Sequence, residues 1–181
     1  MAELHLYDFD GTLFRSPHVE GIKDWWISDF SLNPPCVPLK PGSEWWNAPV
    51  VAEAKASIAN QNVWAILVTG RTDRSGFRFR VPELLRQAGL RFDRVYLNSM
   101  GGQTEKFKKK VISDTLRRFP QINTVHIWED RLPHLDAFCK HVQGLGKACV
   151  KHPIKVRPHP ILCDPEELQD MAARVASRWA G

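Results

Sequence analysis

The stretch that decides the fold reads Leu4-His5-Leu6-Tyr7-Asp8-Phe9-Asp10-Gly11-Thr12-Leu13-Phe14. It is a short apolar strand that runs into two carboxylates and a tight turn. Alternate side chains of an extended segment share a face, so Asp8 and Asp10 leave the end of the strand on the same side. Two carboxylates held this close require a cation, a shared proton or a catalytic task. A chemically active site is therefore expected where the first strand ends.

The length and composition predict one domain of ordinary size with a hydrophobic core. The chain has 181 residues, of which 43% are hydrophobic, and a formal net charge of +5. This modest positive charge favours a polyanionic substrate or partner. The N-terminus lacks a basic region followed by an apolar run, and no segment approaches the ~18 apolar residues that span a bilayer. We therefore expect a soluble, intracellular, cytoplasmic protein with no membrane partner.

The four cysteines lack the spacing that is typical of a structural metal site. They are Cys36, Cys139, Cys149 and Cys163, with no CxxC pair and no histidines at zinc-ligand intervals. Reduced thiols are the expected state of cysteines inside a cell. We therefore expect free thiols and no disulfide-linked partner.

From residue 62 onwards, apolar runs of strand length alternate with segments of helical period. The predicted strands after the first are 63–68, 94–97, 124–128 and 148–151, and the predicted helices are 80–87, 104–119, 132–142 and 164–179. Strands that alternate with helices are typical of a parallel sheet covered by helices on both faces. The predicted fold class is α/β, with a Rossmann-like parallel sheet.

A Trp-rich and Pro-rich stretch separates the first strand from this regular part. We expect a short helix over 19–30, a loop, and a second helix that starts near Pro49. These elements make a small helical insertion at about residues 15–60. Two Trp-Trp pairs, at 25–26 and 45–46, have two interpretations. They pack within the protein, or they form a lid whose aromatic faces stack on a nucleobase.

Polar side chains follow the predicted strand ends, where ligands bind in open parallel sheets. The set comprises Asp8, Asp10, Thr69, Gly70, Arg71, Glu129, Asp130 and Arg131, with Lys106 and Lys108 on the helix that precedes the last strand end. Together they offer a nucleophile, an acid/base, a hydroxyl donor, a cation and a further carboxylate. Phosphoryl transfer requires these groups, because it needs an in-line nucleophile and neutralisation of charge on the phosphoryl oxygens.

In this order the residues resemble the four motifs of the haloacid dehalogenase (HAD) superfamily of phosphatases. The matching segments, within about residues 3–150, are Asp8-Phe9-Asp10-Gly11-Thr12, Thr69-Gly70-Arg71, Lys108 or Lys106, and Glu129-Asp130-Arg131. The Thr-Gly-Arg and Glu-Asp-Arg forms and the Trp pairs are most similar to the Swiss Army Knife RNA repair-like group. They are also similar to the phosphatase half of polynucleotide kinase-phosphatases. The resemblance implies a single HAD-like phosphatase domain over residues 1–181.

The resemblance and the chemistry imply a role for each catalytic residue. Asp8 is the expected nucleophile, which forms an aspartyl phosphate. Asp10 is the expected acid/base, which protonates the leaving oxygen and then activates water. Thr69 is expected to donate a hydrogen bond to the phosphoryl group, and a helix lysine to offset charge. We expect that lysine to be Lys108, because it follows a phenylalanine as in the family pattern, with Lys106 as the alternative.

The expected cofactor is Mg²⁺, which prefers oxygen ligands. The Asp8 carboxylate, the backbone carbonyl of Asp10 and the Asp130 carboxylate are its expected direct ligands. Glu129 precedes Asp130 on a strand and is therefore expected to face elsewhere and to act on the metal through water.

The substrate phosphate is expected to meet donors on the loops around Asp8. Gly11 and Thr12 are expected to leave backbone N–H groups free at a turn. Arg71 either grips the phosphate in a bidentate manner or locks the loop through Glu129. The full expected substrate-binding set is Gly11, Thr12, Gly70, Arg71 and Lys106.

These expectations favour a Mg²⁺-dependent phosphomonoesterase. A small insertion leaves the mouth of the site open, which suits an RNA or DNA end better than a small substrate sealed under a cap. The phosphate removed from such an end is either 3′ or 5′. Two alternatives stay open: a phosphatase of nucleotides or small metabolites, and a non-catalytic domain that binds nucleic acid through the basic helix 104–119.

Overall fold

The computed structural model describes residues 2–22 and 24–179 and contains one sheet of five parallel strands. In chain order they are β1 (Ala2–Tyr7), β2 (Val63–Thr72), β3 (Arg94–Asn98), β4 (Ile122–Glu129) and β5 (Ala148–Pro153). The spatial order is β3-β2-β1-β4-β5, so β1 is central. Its last residue, Tyr7, is in register with Leu67 of β2 and Trp128 of β4. The residues that follow these three strands therefore meet at one edge of the sheet.

Helices cover both faces of the sheet. They are α1 (Ala48–Ala59), α2 (Ser75–Gln87), α3 (Thr104–Arg118) and α4 (Leu132–Gly144). A fifth helix, α5 (Pro165–Trp179), packs its buried Leu168 against Trp25 and Cys36 of the insertion. Buried side chains of α1 and α2, including Val50 and Leu84, cluster with Leu67 on one face. Those of α3 and α4, including Ile112 and Phe138, cluster with the leucines of β1 on the other face. The predicted α/β class with a Rossmann-like parallel sheet is confirmed. Within the described ranges, no helix is both long enough and apolar enough to cross a membrane.

The insertion between β1 and α1 is built mainly from short turns, and the helix predicted over 19–30 is wrong. Two 3₁₀ turns lie there instead, Trp25–Ile27 and Asp29–Ser31. Gly21 and Asp24 have φ angles of 79° and 60°, and an α-helix of L-residues cannot continue through such left-handed positions. Lys23, within the same segment, lies outside the described residues. The second predicted helix is present as α1, with Pro49 in its first turn.

The paired tryptophans divide into buried and exposed members. Trp25 and Trp45 are only 3% and 1% exposed, and the ring of Trp45 stacks on His159 with their centroids 3.7 Å apart. Trp26, by contrast, is 43% exposed. Packing within the protein therefore explains Trp25 and Trp45, whereas the ring of Trp26 is only partly open to solvent, because the ring of His18 stacks beside it with their centroids 5.8 Å apart.

The expectation of four reduced cysteines is wrong for one pair. Cys139 of α4 and Cys149 of β5 form a disulfide across a Cα–Cα distance of 5.4 Å. The two cysteines are ten residues apart, and they meet because α4 packs beside the strand that follows it. Cys36 and Cys163 are free thiols whose Sγ atoms lie 2.8 Å apart.

Arg80 of α2 binds the insertion between β1 and α1 through hydrogen bonds. Its side chain is buried and donates hydrogen bonds of 2.8–2.9 Å to the backbone carbonyls of Leu32, Pro38 and Leu39. Each of these bonds is charge-assisted, and each carbonyl belongs to a segment with little regular structure. A single arginine therefore provides hydrogen-bond donors to three backbone carbonyls of this loop.

We expect Arg80→Met to lower the free energy of unfolding by about 1–3 kcal/mol, because it removes the charged donor of the buried Leu32 carbonyl and of the half-buried Pro38 carbonyl. Urea unfolding measures the change. Arg78→Met is the matched control, because Arg78 is exposed and pairs with Asp73 at the surface, where solvent screens the ion pair, so its loss should have a much smaller effect than the loss of Arg80. Equal effects of the two substitutions would contradict this role of Arg80.

Candidate active site

The polar residues predicted at the strand ends come together at the carboxyl edge of the sheet. Asp8 follows β1 directly, and its N–H donates a 3.0 Å hydrogen bond to the carbonyl of Trp128 in β4. Thr69 lies near the end of β2, which continues to Thr72, four residues beyond its predicted end. Glu129 is the last residue of β4. The parallel register thus places these groups side by side, as the switch point of an open α/β sheet requires.

Lys108 is the centre of the site. Its Nζ atom lies 2.7 Å from Asp8 Oδ1 and 2.7 Å from Glu129 Oε2, and the side chain is fully buried. It is on the buried face of α3, where Val111 and Ile112 follow at helical spacing and pack on the sheet. The packing of this helix therefore carries the ammonium group to the end of β1.

The charges in this cluster shift one another's pKa values. Burial raises the pKa of Asp8 to about 8, with the charge of Glu129 adding to the effect and Lys108 opposing it. Burial and the neighbouring Glu129 carboxylate raise the pKa of Asp130 to about 7. Burial disfavours the charge of Lys108, yet Asp8 and Glu129 outweigh it and raise the pKa of Lys108 above its ordinary value. Asp8 and Glu129 thus share one ammonium with Asp130 beside them, and a further positive charge is needed for all three carboxyl groups to be ionised at neutral pH.

The three carboxylates fit a hard divalent cation. One oxygen from each of Asp8, Glu129 and Asp130 lies within 4.8 Å of the other two. Oδ1 of Asp130 is buried and has no hydrogen-bond partner among the described residues. Gly11 has a φ of 69°, and a Cβ there would collide with Asp130 Oδ2, so the turn needs glycine. An all-oxygen donor set with an unpartnered, buried oxygen is suited to Mg²⁺.

The side chain of Glu129 points in a different direction from the one expected. The alternation of side chains along a strand predicts that Glu129 and Asp130 face opposite ways. β4 ends at Glu129, however, and the chain turns there, so both carboxylates reach the same site. Glu129 bonds directly to Lys108 from this position.

Arg71 binds Asp10, and the expected contact between Arg71 and Glu129 is wrong. The guanidinium nitrogens lie 2.8–3.1 Å from the Asp10 carboxylate, and the Ser16 hydroxyl donates a further hydrogen bond of 2.5 Å to Asp10. Burial favours the protonated form of Asp10, but the Arg71 guanidinium outweighs it and lowers the pKa of Asp10 below its ordinary value. Asp10 is therefore held as a carboxylate.

Arg71 also joins the site to the insertion. Its Nη1 atom donates to the backbone carbonyl of Trp26 at 2.9 Å and to the hydroxyl of Ser31. The guanidinium lies 5.2 Å from the ring centroid of Trp26. Sequence reasoning missed Ser16 and Ser31, because both lie in an irregular segment where spacing predicts no partner.

The loops that were expected to bind a substrate phosphate differ in part from that expectation. The N–H groups of Gly11 and Thr12 are not free, because they donate within the turn to the carbonyls of Phe14 and Phe9. The free group of this turn is the Thr12 hydroxyl, which is buried without a partner in the described part of the chain. Thr69 is also buried, and its Oγ1 accepts the N–H of Arg71 at 3.1 Å.

Lys106 lies in an open cleft beside the site, away from Asp8. The cleft has a volume of about 550 Å³ and is lined by Lys106, Lys109, Arg131 and His134, together with one acidic side chain, Glu105, which pairs with Lys109 at 2.6 Å. Thr104 begins one wall and lies against Gly70, where a Cβ would approach its side chain to 3.0 Å. Arg131 begins the other wall directly after Asp130. The structure therefore brings Lys108, and not Lys106, to the carboxylates.

A parallel sheet with two aspartates after its central strand, a strand-end threonine, a buried helix lysine and an acidic pair defines an α/β domain of the HAD type. The family model described as HAD domain family 1 in Swiss Army Knife RNA repair proteins matches residues 9–170. The chain belongs to this family.

Three further proteins are similar to this chain, one in sequence and two in structure. The uncharacterized protein YMR265C of Saccharomyces cerevisiae is 28% identical over an alignment 189 residues long, gaps included. The alignment covers 87% of this chain and 41% of the yeast protein. A chain of the Pnkp1/Rnl/Hen1 RNA repair complex has a TM-score of 0.57 at 16% identity, covering 85% of this chain and 43% of that one. The HAD domain of the effector Lem4 from Legionella pneumophila has a TM-score of 0.51 at 14% identity, covering 94% and 93%. The two solved structures show the fold, and the chain spans less than half the length of the first two relatives.

We expect Lys108→Met to lower the free energy of unfolding by about 3–5 kcal/mol, because it leaves two buried carboxylates without their cation. The matched control is Lys106→Met, which removes the same charge from an exposed position of the same helix and changes stability by less than about 0.5 kcal/mol. Urea unfolding at neutral pH measures both. A small, equal effect of the two variants would show that Lys108 does not hold the site together.

Proposed function

We propose that the protein is a Mg²⁺-dependent phosphomonoesterase that acts through an aspartyl phosphate on Asp8. The observation that carries the proposal is the contact of Lys108 with Asp8 and Glu129, beside the unpartnered carboxylate oxygen of Asp130. A buried carboxylate at a strand end, held by a fixed ammonium, is preorganised for attack on phosphorus. Membership of the HAD family supports the same chemistry.

In the proposed reaction, a carboxylate oxygen of Asp8 forms a bond to phosphorus while the bond to the leaving oxygen breaks. Asp10 gives its proton to that leaving oxygen. Water then attacks the phosphorus, Asp10 takes a proton from it, and the carboxylate of Asp8 is restored as phosphate leaves. The Thr69 hydroxyl and the Lys108 ammonium stabilise negative charge on the phosphoryl oxygens.

The ion pair with Arg71 fits the second half of this cycle. It keeps Asp10 as a carboxylate, the form that accepts a proton from water. A substrate phosphate beside Asp10 adds negative charge, which raises the pKa of Asp10 and favours the protonated form needed for the leaving group. Arg71 thus acts on Asp10, and its side chain is already engaged before a phosphate binds.

The residues proposed to hold Mg²⁺ are Asp8, Asp130 and the backbone carbonyl of Asp10, with Glu129 beside them. When bound, the cation supplies positive charge that offsets the surplus of carboxylates and the charge of the phosphate.

We expect Asp8→Asn to lower phosphate release by at least about 10³-fold, because an amide cannot serve as the nucleophile. Hydrolysis of p-nitrophenyl phosphate with and without Mg²⁺ measures the loss, and circular dichroism shows whether the near-isosteric variant is folded. Turnover that persists in the folded variant would contradict the role of Asp8 as the nucleophile. A wild-type protein that turns over nothing in the presence of Mg²⁺ would favour the non-catalytic binding domain.

We propose a nucleic-acid end as the phosphate carrier. The family description names RNA repair proteins. The cleft beside Asp130 is open and basic, and it starts at the loops that would hold the phosphate. A polynucleotide carries further phosphates next to its terminal one, and these can lie along such a cleft. A second candidate, a nucleotide phosphatase, is favoured by the exposed ring of Trp26 near Arg71, which can stack on one base.

We expect phosphorylated oligonucleotides to have a higher kcat/KM than free nucleotides. Lys106→Glu should lower kcat/KM for the oligonucleotide about tenfold more than for p-nitrophenyl phosphate, since it repels the neighbouring phosphates. Lys55→Glu reverses a charge on α1, across the sheet from the cleft, and serves as the matched control. If oligonucleotides with 3′ or 5′ phosphates are turned over no better than mononucleotides, the substrate is a nucleotide or a metabolite.

A further inference from the structure

A second cluster of ligand-type side chains lies on the sheet, away from the carboxyl edge. Glu3 and His5 are two residues apart in β1 and share a face, and His5 is directly paired with His126 of β4. Glu3 Oε2 lies 3.1 Å from His5 Nε2 and 3.8 Å from His126 Nε2. Each side chain offers one ligand atom within 4.8 Å of the other two. Strand register therefore assembles a Glu-His-His set that no local spacing in the sequence indicates.

The dimensions of this set suit a tetrahedral zinc ion. Zinc bonds to nitrogen and oxygen of ~2.0–2.2 Å place neighbouring ligands of a tetrahedron ~3.3–3.6 Å apart. The separations of 3.1 and 3.8 Å bracket that range. All three side chains are partly exposed, so an ion and a water molecule can reach them. Two imidazole nitrogens in the donor set favour zinc and similar transition metals over Mg²⁺.

The hydrogen bonds behind the rings direct His5 Nε2 towards Glu3. The Ser57 hydroxyl lies 2.7 Å from His5 Nδ1, 2.7 Å from the Tyr7 hydroxyl and 3.0 Å from the carbonyl of Glu53, so this hydrogen-bond network holds the His5 ring from behind. This orientation directs His5 Nε2 at the Glu3 carboxylate, 3.1 Å away. A ring held from behind presents its outer nitrogen to an ion without rearrangement.

His126 is oriented in a similar way. Its Nδ1 atom lies 3.0 Å from Nε2 of His152 on the neighbouring strand β5, which leaves Nε2 of His126 directed at Glu3. Partners behind the ligating ring are the usual means by which proteins fix the tautomer and orientation of metal-binding histidines. Both rings of the cluster thus have such a partner.

We propose that Glu3, His5 and His126 bind a zinc-class divalent transition metal ion, with water in the fourth position. The site is separate from the carboxylates at the strand ends, because Asp8 is three residues beyond His5, about 10 Å along the strand. A bound ion would join β1 to β4, the strands that carry Asp8 and Glu129. This inference does not depend on the proposed phosphatase activity.

The test uses Co²⁺ as a spectroscopic probe of the chelator-treated protein, with excess Mg²⁺ present to occupy the carboxylate site. We expect one equivalent of Co²⁺ to bind with the intense visible absorption of a tetrahedral site, and Zn²⁺ to displace it and raise Tm. Glu3→Gln and His126→Asn should each abolish the bands. Ser57→Ala, which removes a partner behind the ring, should weaken Co²⁺ binding about 10–100-fold.

His134→Asn is the matched control, because it removes a histidine outside the cluster and should leave the bands unchanged. Circular dichroism of each variant separates loss of the site from loss of folding, and Glu3, at the partly exposed start of β1, tolerates substitution best. Absence of tetrahedral bands in the wild-type protein would overturn the proposal. Bands that persist in folded Glu3→Gln and His126→Asn proteins would also overturn it.

Discussion

The buried ammonium group of Lys108 is the interaction on which the rest of the site depends. A fully buried lysine keeps its charge only when carboxylates replace the water it has lost, and Asp8 and Glu129 do so at 2.7 Å each. These two residues lie at the ends of neighbouring strands, and Lys108 comes from the helix between them in the chain. One pair of contacts therefore ties β1, α3 and β4 together at the carboxyl edge of the sheet. The same contacts place a cation beside the carboxylate proposed to attack phosphorus.

The two faces of the sheet contribute different groups to the site. From the α3 side come Lys108 and the basic cleft that contains Lys106 and Arg131. From the insertion side comes Arg71, which holds Asp10 and contacts the backbone of Trp26. Asp8 and Asp10, two residues apart, thus have different electrostatic partners. This difference supports the unequal roles proposed for them, nucleophile for one and acid/base for the other.

Much of the sheet and of the site could be predicted, because both follow from local patterns. The apolar runs determined the strands, and the strand ends located Asp8, Thr69 and Asp130. The buried stripe of α3 also contains position 108, which explains why Lys108 and not Lys106 reaches the carboxylates. The helix expected over 19–30 is missing because Asp24 adopts a left-handed conformation.

Contacts between distant segments could not be predicted in the same way. The pairing of Arg71 with Asp10, the disulfide between α4 and β5, and the cluster of Glu3, His5 and His126 all depend on which strands lie next to each other and in what register. A single sequence contains no direct signal for that register. The alternation of side chains between the two faces of a strand also fails to predict the direction of Glu129, because β4 ends at this residue and the chain turns there.

Chemical trapping of the phosphorylated enzyme tests the central claim most directly. The protein is mixed briefly with p-nitrophenyl phosphate and Mg²⁺, quenched with borohydride, and mapped by peptide mass spectrometry, since an acyl phosphate is reduced to an alcohol. We expect reduction of Asp8 to homoserine, with the peptide containing Asp10 otherwise unchanged and with no product in Asp8→Asn. Turnover of the substrate without modification of Asp8, or with modification of another carboxylate, would contradict it.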